Sequence, residues 1–200
     1  MRDRNHFEDP VAHSANAVVR LALIGYRCTG KSSLAQILAQ QWGWRAVDLD
    51  KVLQERARKD IADLVREQGW HSFRMIEAEL LREFSKHERV VVATGGGIIE
   101  TPECRETLKR DFYTVWLTAD IHTILQRMSK DANTAAQRPP LTDKTPEEEV
   151  RSLLEHRRPW YQECSILKLS TDRMSLPRLA AEIEKAMHRG DKEEFPIRIE

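Results

Sequence analysis

Gly25-Tyr26-Arg27-Cys28-Thr29-Gly30-Lys31-Ser32 follows the apolar run Leu21-Ala22-Leu23-Ile24 and precedes Ser33-Leu34-Ala35-Gln36-Ile37-Leu38-Ala39, whose apolar residues recur at helical spacing. The octapeptide fits G-x-x-x-x-G-K-[ST], and a strand before it and a helix after it are the context that gives the pattern its meaning. Its glycines let the backbone wrap an anion so that several N–H groups converge on it. The Lys31 ammonium brings a full charge to β- and γ-phosphates, and the Ser32 hydroxyl suits Mg2+, a hard cation that prefers oxygen. A helix starting at the loop adds its own N-terminal N–H groups. The stretch predicts a site for a nucleoside triphosphate, held by Gly25, Thr29, Gly30, Lys31, Ser32 and Ser33.

Outward from that loop, short apolar runs alternate with longer helical patterns. Strands are expected at 20–24, 45–49, 89–94, 113–117 and 166–170, with Val90-Val91-Val92 reading as a strand buried on both faces. Helices are expected at 31–42, 52–68, 73–86, 102–109, 121–130, 146–156 and 176–189. Such alternation implies βαβ units, hence a three-layer α/β/α fold on a five-stranded parallel sheet. Residues 129–145 break the pattern: the stretch is polar, contains Pro139-Pro140 and carries Arg138. Loops of that length within a domain are usually functional or disordered; in a phosphate-transferring enzyme a water-excluding lid is the natural reading, and a floppy surface insertion is the alternative.

Composition narrows the partners. In 200 residues Lys+Arg and Asp+Glu both number 32, so no global field argues for nucleic acid or for an anionic membrane surface. No run approaches 18 apolar residues, and residues 1–17 are charged without an apolar core, so neither a span nor a secretory signal is expected. Cys28, Cys104 and Cys164 are odd in number and widely spaced, as reduced thiols of a cytoplasmic protein would be. The chain is expected to be one domain over 18–189, monomeric, with a disordered arm at 1–17 and a charged tail at 190–200.

Other residues carry chemistry by type and place. Asp48 and Asp50 end the second expected strand, where open α/β sheets gather ligands. Period two puts both carboxylates on one side, so one could serve a metal while the other meets an acceptor hydroxyl. An acidic helix cap, which Asp50 could be, is the alternative. Gly95-Gly96-Gly97 ends the third strand and exposes backbone to a ligand. Arg74 and Glu77, at i and i+3, can pair so that the guanidinium is fixed. Arg74 and Arg157 near one pocket would suit an anionic small acceptor, since arginine forks match carboxylates.

Taken in order, these motifs resemble the shikimate kinase family: the loop 25–32, Asp48-Leu49-Asp50, Gly69 with Phe73-Arg74 and Glu77, Gly95-Gly96-Gly97, Arg138-Pro139, and Arg157-Arg158-Pro159-Trp160-Tyr161. The resemblance covers about 18–188. It implies a nucleoside monophosphate kinase-like fold and transfer of the ATP γ-phosphate to the 3-hydroxyl of shikimate, in aromatic amino-acid biosynthesis. It implies that Lys31 and Arg138 neutralise the phosphates, that Ser32 and Asp48 serve Mg2+, and that Asp50 hydrogen-bonds the acceptor hydroxyl and acts as its base. Arg74 and Arg157 would grip the shikimate carboxylate, the backbone of Gly95, Gly96 and Gly97 would meet the rest of the acceptor, and Arg127 would stack on adenine. The chain departs from the family pattern at Trp70, Val65 and Pro140. A kinase for another acidic polyol such as gluconate, a nucleoside monophosphate kinase and a non-catalytic nucleotide-binding module are the alternative readings.

Overall fold

The structure, a computed structural model, describes residues 20–130 and 145–190. The expected arm at 1–17, nearly all of the expected lid with Arg138, and the tail beyond residue 190 lie outside the described residues. Among the described residues the order is β1 (Arg20–Ile24), α1 (Lys31–Trp42), β2 (Arg45–Asp48), α2 (Leu49–Ala57), α3 (Ile61–Phe84) and β3 (Val90–Ala93). A short 3-10 turn (Ile98–Glu100) follows, then α4 (Pro102–Asp111), β4 (Tyr113–Thr118), α5 (Ile121–Lys130), α6 (Pro146–Cys164), β5 (Leu167–Ser170) and α7 (Leu176–Gly190).

The five strands form one parallel sheet in the order β2-β3-β1-β4-β5. Alternation along β1 divides the core: Leu21 and Leu23 face α1 and α7, whereas Ala22 and Ile24 face the layer built by α2, α3, α4 and α6. Val90, Val91 and Val92 are fully buried, as their β-branched run requires. Each such side chain contributes about 1.5–3 kcal/mol by leaving water. Because β1 has β3 on one side and β4 on the other, a crevice opens beyond its carboxyl end, at the switch point of the sheet.

Four expected boundaries are corrected. Leu49 is not strand: it starts α2, with Asp48 as the N-cap whose carboxylate accepts from the Asp50 and Lys51 N–H groups. Asp50 therefore stands in the first turn of a helix, and period two does not relate the pair. The expected helix at 52–68 is broken at Arg58, whose left-handed conformation caps α2 before Asp60 begins α3. The gap expected between 68 and 73 is only a kink in α3 at Gly69 (φ 79°). Finally, α6 continues through Pro159 to Cys164. Proline removes one helical hydrogen bond there, but Tyr161 is fully buried, stacks on Trp116 at 5.5 Å and donates its hydroxyl to the Gly96 carbonyl.

Candidate active site

The carboxyl ends of β2, β3 and β1 lie side by side and deliver the phosphate loop, the aspartates and the glycine triplet to one place. The loop is braced internally. Gly25 holds φ 139°, and a Cβ there would overlap the Leu117 carbonyl, so only glycine fits the turn. The buried Thr29 hydroxyl donates to the Tyr26 carbonyl at 2.8 Å. Gly30 N-caps α1 in the left-handed region, and Ser33 is exposed in the first turn of that helix. The Lys31 ammonium, mostly buried, donates to the Gly25 and Tyr26 carbonyls at 2.8 and 2.7 Å. Arg127 reaches the same loop, donating to the Cys28 carbonyl at 3.1 Å and to Thr171 Oγ1 and O at 3.0 and 3.1 Å. Its guanidinium thus ties α5 and the segment after β5 to the phosphate loop.

Ser32 Oγ donates to Asp48 Oδ2 at 2.5 Å. A hydroxyl and a carboxylate in contact beside a phosphate loop are hard oxygen donors of the kind that could hold a hard divalent cation. Among the described residues no cluster of three His, Cys, Asp or Glu could hold a metal by itself.

Next to the loop is a narrow cleft of about 60 Å3 walled by Tyr26, Arg27, Asp50, Phe73, Arg74, Glu77, the three glycines and Arg157. Asp50, Arg74 and Arg157, expected to share a site, do so. Arg74 lies flat against Gly97, where any Cβ would overlap its guanidinium. Its Nη1 pairs with Glu77 at 2.5 Å, as the i, i+3 spacing predicts. Trp70 and Phe73 present their rings to it at 5.5 and 5.4 Å. Glu77 is 2% exposed, and burial outweighs Arg74, with Asp50 adding repulsion, so its pKa rises to about 7. For Arg74, burial disfavours the charge, but Glu77 and Glu100 overcome it and hold the guanidinium above its ordinary value.

Four participants escape the sequence reading. Glu100 accepts from Arg74 Nη2 at 2.6 Å and from Arg157 Nε at 2.9 Å. Arg27 lines the cleft and pairs with the buried Glu149 of α6 at 2.8 Å. Tyr26 lines it too, with a hydroxyl buried and without a hydrogen-bond partner among the described residues. No short-range signal marks Glu100, Arg27 or Glu149, because their partners lie far along the chain. None of Cys28, Cys104 and Cys164 is in a disulfide, and burial pushes Cys104 up to about 12 and Cys164 to about 11, so both are inert. Among the described residues no helix is long and apolar enough to cross a membrane.

The chain is similar to known proteins of one family. The family model for shikimate kinase matches residues 27–188. A shikimate kinase of Nitratidesulfovibrio vulgaris is 40% identical over 148 residues, 74% of this chain and 84% of the relative. One from Rhodopirellula baltica is 37% identical over 83% of this chain and 89% of its own length. Among solved structures, the shikimate kinase of Acinetobacter baumannii in complex with shikimate superposes with a TM-score of 0.80 at 28% identity, covering 88% of this chain and 96% of that one.

Proposed function

The chain belongs to the shikimate kinase family, and from that premise we propose that it transfers the γ-phosphate of ATP to the 3-hydroxyl of shikimate, giving shikimate 3-phosphate for aromatic amino-acid biosynthesis. The observation that carries the reading is the meeting of Asp50, Arg74, Arg157 and the glycine triplet in one cleft beside the phosphate loop.

Phosphoryl transfer asks little covalent chemistry of a protein; alignment and charge stabilisation do most of the work. In this reading ATP lies along the loop, with its phosphates on the N–H groups of the loop and of the first turn of α1. Lys31 exchanges its loop carbonyls for phosphate oxygens and stabilises the charge that builds on them. Arg138 supplies a second positive charge from the lid. Ser32 and Asp48 would hold Mg2+, which when bound supplies further charge at the phosphate oxygens. At the other end of the cleft Arg74 and Arg157 take the acceptor carboxylate, which orients the ring. Gly95, Gly96 and Gly97 let the acceptor approach the backbone closely. Asp50, beside Gly95, accepts the proton of the reacting hydroxyl and aims its oxygen at the γ-phosphate. Arg127 acts at the nucleotide end.

The test is a coupled assay of ADP release with ATP, Mg2+ and shikimate. Stimulation many-fold over the rate with ATP alone is expected, and gluconate and nucleoside monophosphates should give none. Absence of stimulation by shikimate in folded protein would reject the proposal.

A further inference from the structure

We propose that Glu100 is a positioning residue that binds Arg74 and Arg157 into a single carboxylate-gripping fork. The proposal deepens the acceptor reading above and rests on it. Arg74 comes from α3 and Arg157 from α6, and two guanidinium cations brought together from separate helices repel. Glu100 sits between them at the end of the 3-10 turn. Its Oε2 accepts from Arg74 Nη2 at 2.6 Å, and its Oε1 accepts from Arg157 Nε and Nη2 at 2.9 and 2.7 Å. One carboxylate therefore sets the spacing of both cations at the width of a carboxylate.

The side on which Glu100 stands decides what it does. It does not line the narrow cleft; it lines a broader groove of about 680 Å3 behind the two arginines, with Trp70, Met75, Arg82 and Leu153. Trp70, Arg74 and Arg157 line both spaces and form the partition between them. Guanidinium presents five N–H donors, and those that Glu100 and Glu77 do not use remain for a carboxylate arriving from the cleft. Glu77, in contrast, holds Arg74 alone, so it cannot couple the two arginines.

The backbone at Glu100 is secured independently of its side chain. Its N–H donates to the Gly97 carbonyl at 3.0 Å, and Arg105 Nη1 donates to the Ile99 and Glu100 carbonyls at 2.8 and 3.4 Å. Substitution should therefore disturb the fork without disturbing the turn.

The experiment compares Glu100→Gln and Glu100→Asp with the unaltered chain in the shikimate-dependent assay, with ATP affinity measured calorimetrically. Glutamine keeps the shape but sets an amide N–H against a guanidinium, so KM for shikimate should rise about tenfold. The turnover number should stay within about twofold and ATP affinity should not move. Aspartate keeps the charge but is one methylene too short to span both arginines, so its KM should fall between the other two. Binding of shikimate methyl ester, which lacks the charge, should be the same in all three, a result that general loosening of the fold would not produce. An unchanged KM would overturn the proposal, and so would a lowered one, which would make Glu100 a competitor for the fork. If the unaltered chain shows no shikimate-dependent turnover, the functional reading fails; if it turns over normally and the Glu100→Gln KM does not rise, this inference alone fails.

Discussion

Arg74→Ala separates two effects that one side chain now joins. Arg74 is 18% exposed and holds Glu77 at 2.5 Å and Glu100 at 2.6 Å. Removing one partner of a buried ion pair ordinarily costs about 3–5 kcal/mol, because the remaining charge is stranded. Glu77 has an escape. Burial has already raised its pKa to about 7 with Arg74 beside it, so near neutral pH its carboxyl takes up a proton readily. Completing the protonation costs on the order of 1 kcal/mol or less. Lost hydrogen bonds and lost packing against Trp70 and Phe73 add about 1–3 kcal/mol. The variant should therefore fold, with a lowered urea midpoint and an unchanged slope. The acceptor has no comparable escape: its carboxylate loses a desolvated guanidinium, and binding weakens by about 2–5 kcal/mol. The KM for shikimate should accordingly rise about thirtyfold or more, with the KM for ATP unchanged. Shikimate titration at saturating ATP, with urea unfolding followed by circular dichroism, reads both effects. An unchanged shikimate KM with a raised ATP KM would refute the placement of Arg74. A stability loss near 5 kcal/mol would refute the protonation of Glu77.

Other expectations concern the remaining parts of the site. Lys31→Ala should lower the turnover number by about three powers of ten while leaving the circular dichroism spectrum unchanged, since the charge acts on the transferring phosphoryl group; a drop below tenfold would contradict its role. Arg127→Ala should raise the KM for ATP about tenfold through slackening of the loop at Cys28, with the shikimate KM unmoved; the opposite pattern would contradict the tie to the loop. For Glu77→Gln the measurement is stability against pH. The folded pKa, about 7, lies above the ordinary 4.5, so between those values the folded chain holds a proton that the unfolded chain has released. The resulting contribution is full below about pH 4.5 and is lost as pH rises through 7, on the order of 3 kcal/mol in all. The unaltered chain should lose that much relative to Glu77→Gln over this window, and parallel curves would contradict it.

What was legible in the chain was whatever its chemistry kept local. The bounds of β1 and α1 coincide with the expected ones because the loop between them carries its own signature of glycines, lysine and serine. The i, i+3 pair of Arg74 with Glu77 follows from helix geometry alone. The misread segments are those where distant packing or an unmarked turn decides. Nothing in Arg58-Lys59-Asp60 announces a helix break, since neither glycine nor proline stands there. Pro159 announces one that the burial of Tyr161 cancels. Asp48 and Asp50 stand out in the sequence by type and place, but the chain enters α2 one residue after Asp48, so cap geometry replaces strand alternation. Glu100 went unnoticed because its partners lie 26 and 57 residues away, and a single glutamate after a glycine turn has no local pattern. Arg27 and Glu149 pair across 122 residues for the same reason. The motif order conveyed which residues share the cleft; the carboxylates that hold the arginines in place required the fold.

The most direct measurement is a crystal structure of this chain with shikimate and a non-hydrolysable ATP analogue bound together. The account predicts the shikimate carboxylate on Arg74 and Arg157, the 3-hydroxyl on Asp50, and the γ-phosphate facing that hydroxyl from the loop at Lys31. Shikimate bound elsewhere, or turned so that its carboxylate faces Asp50, would contradict it.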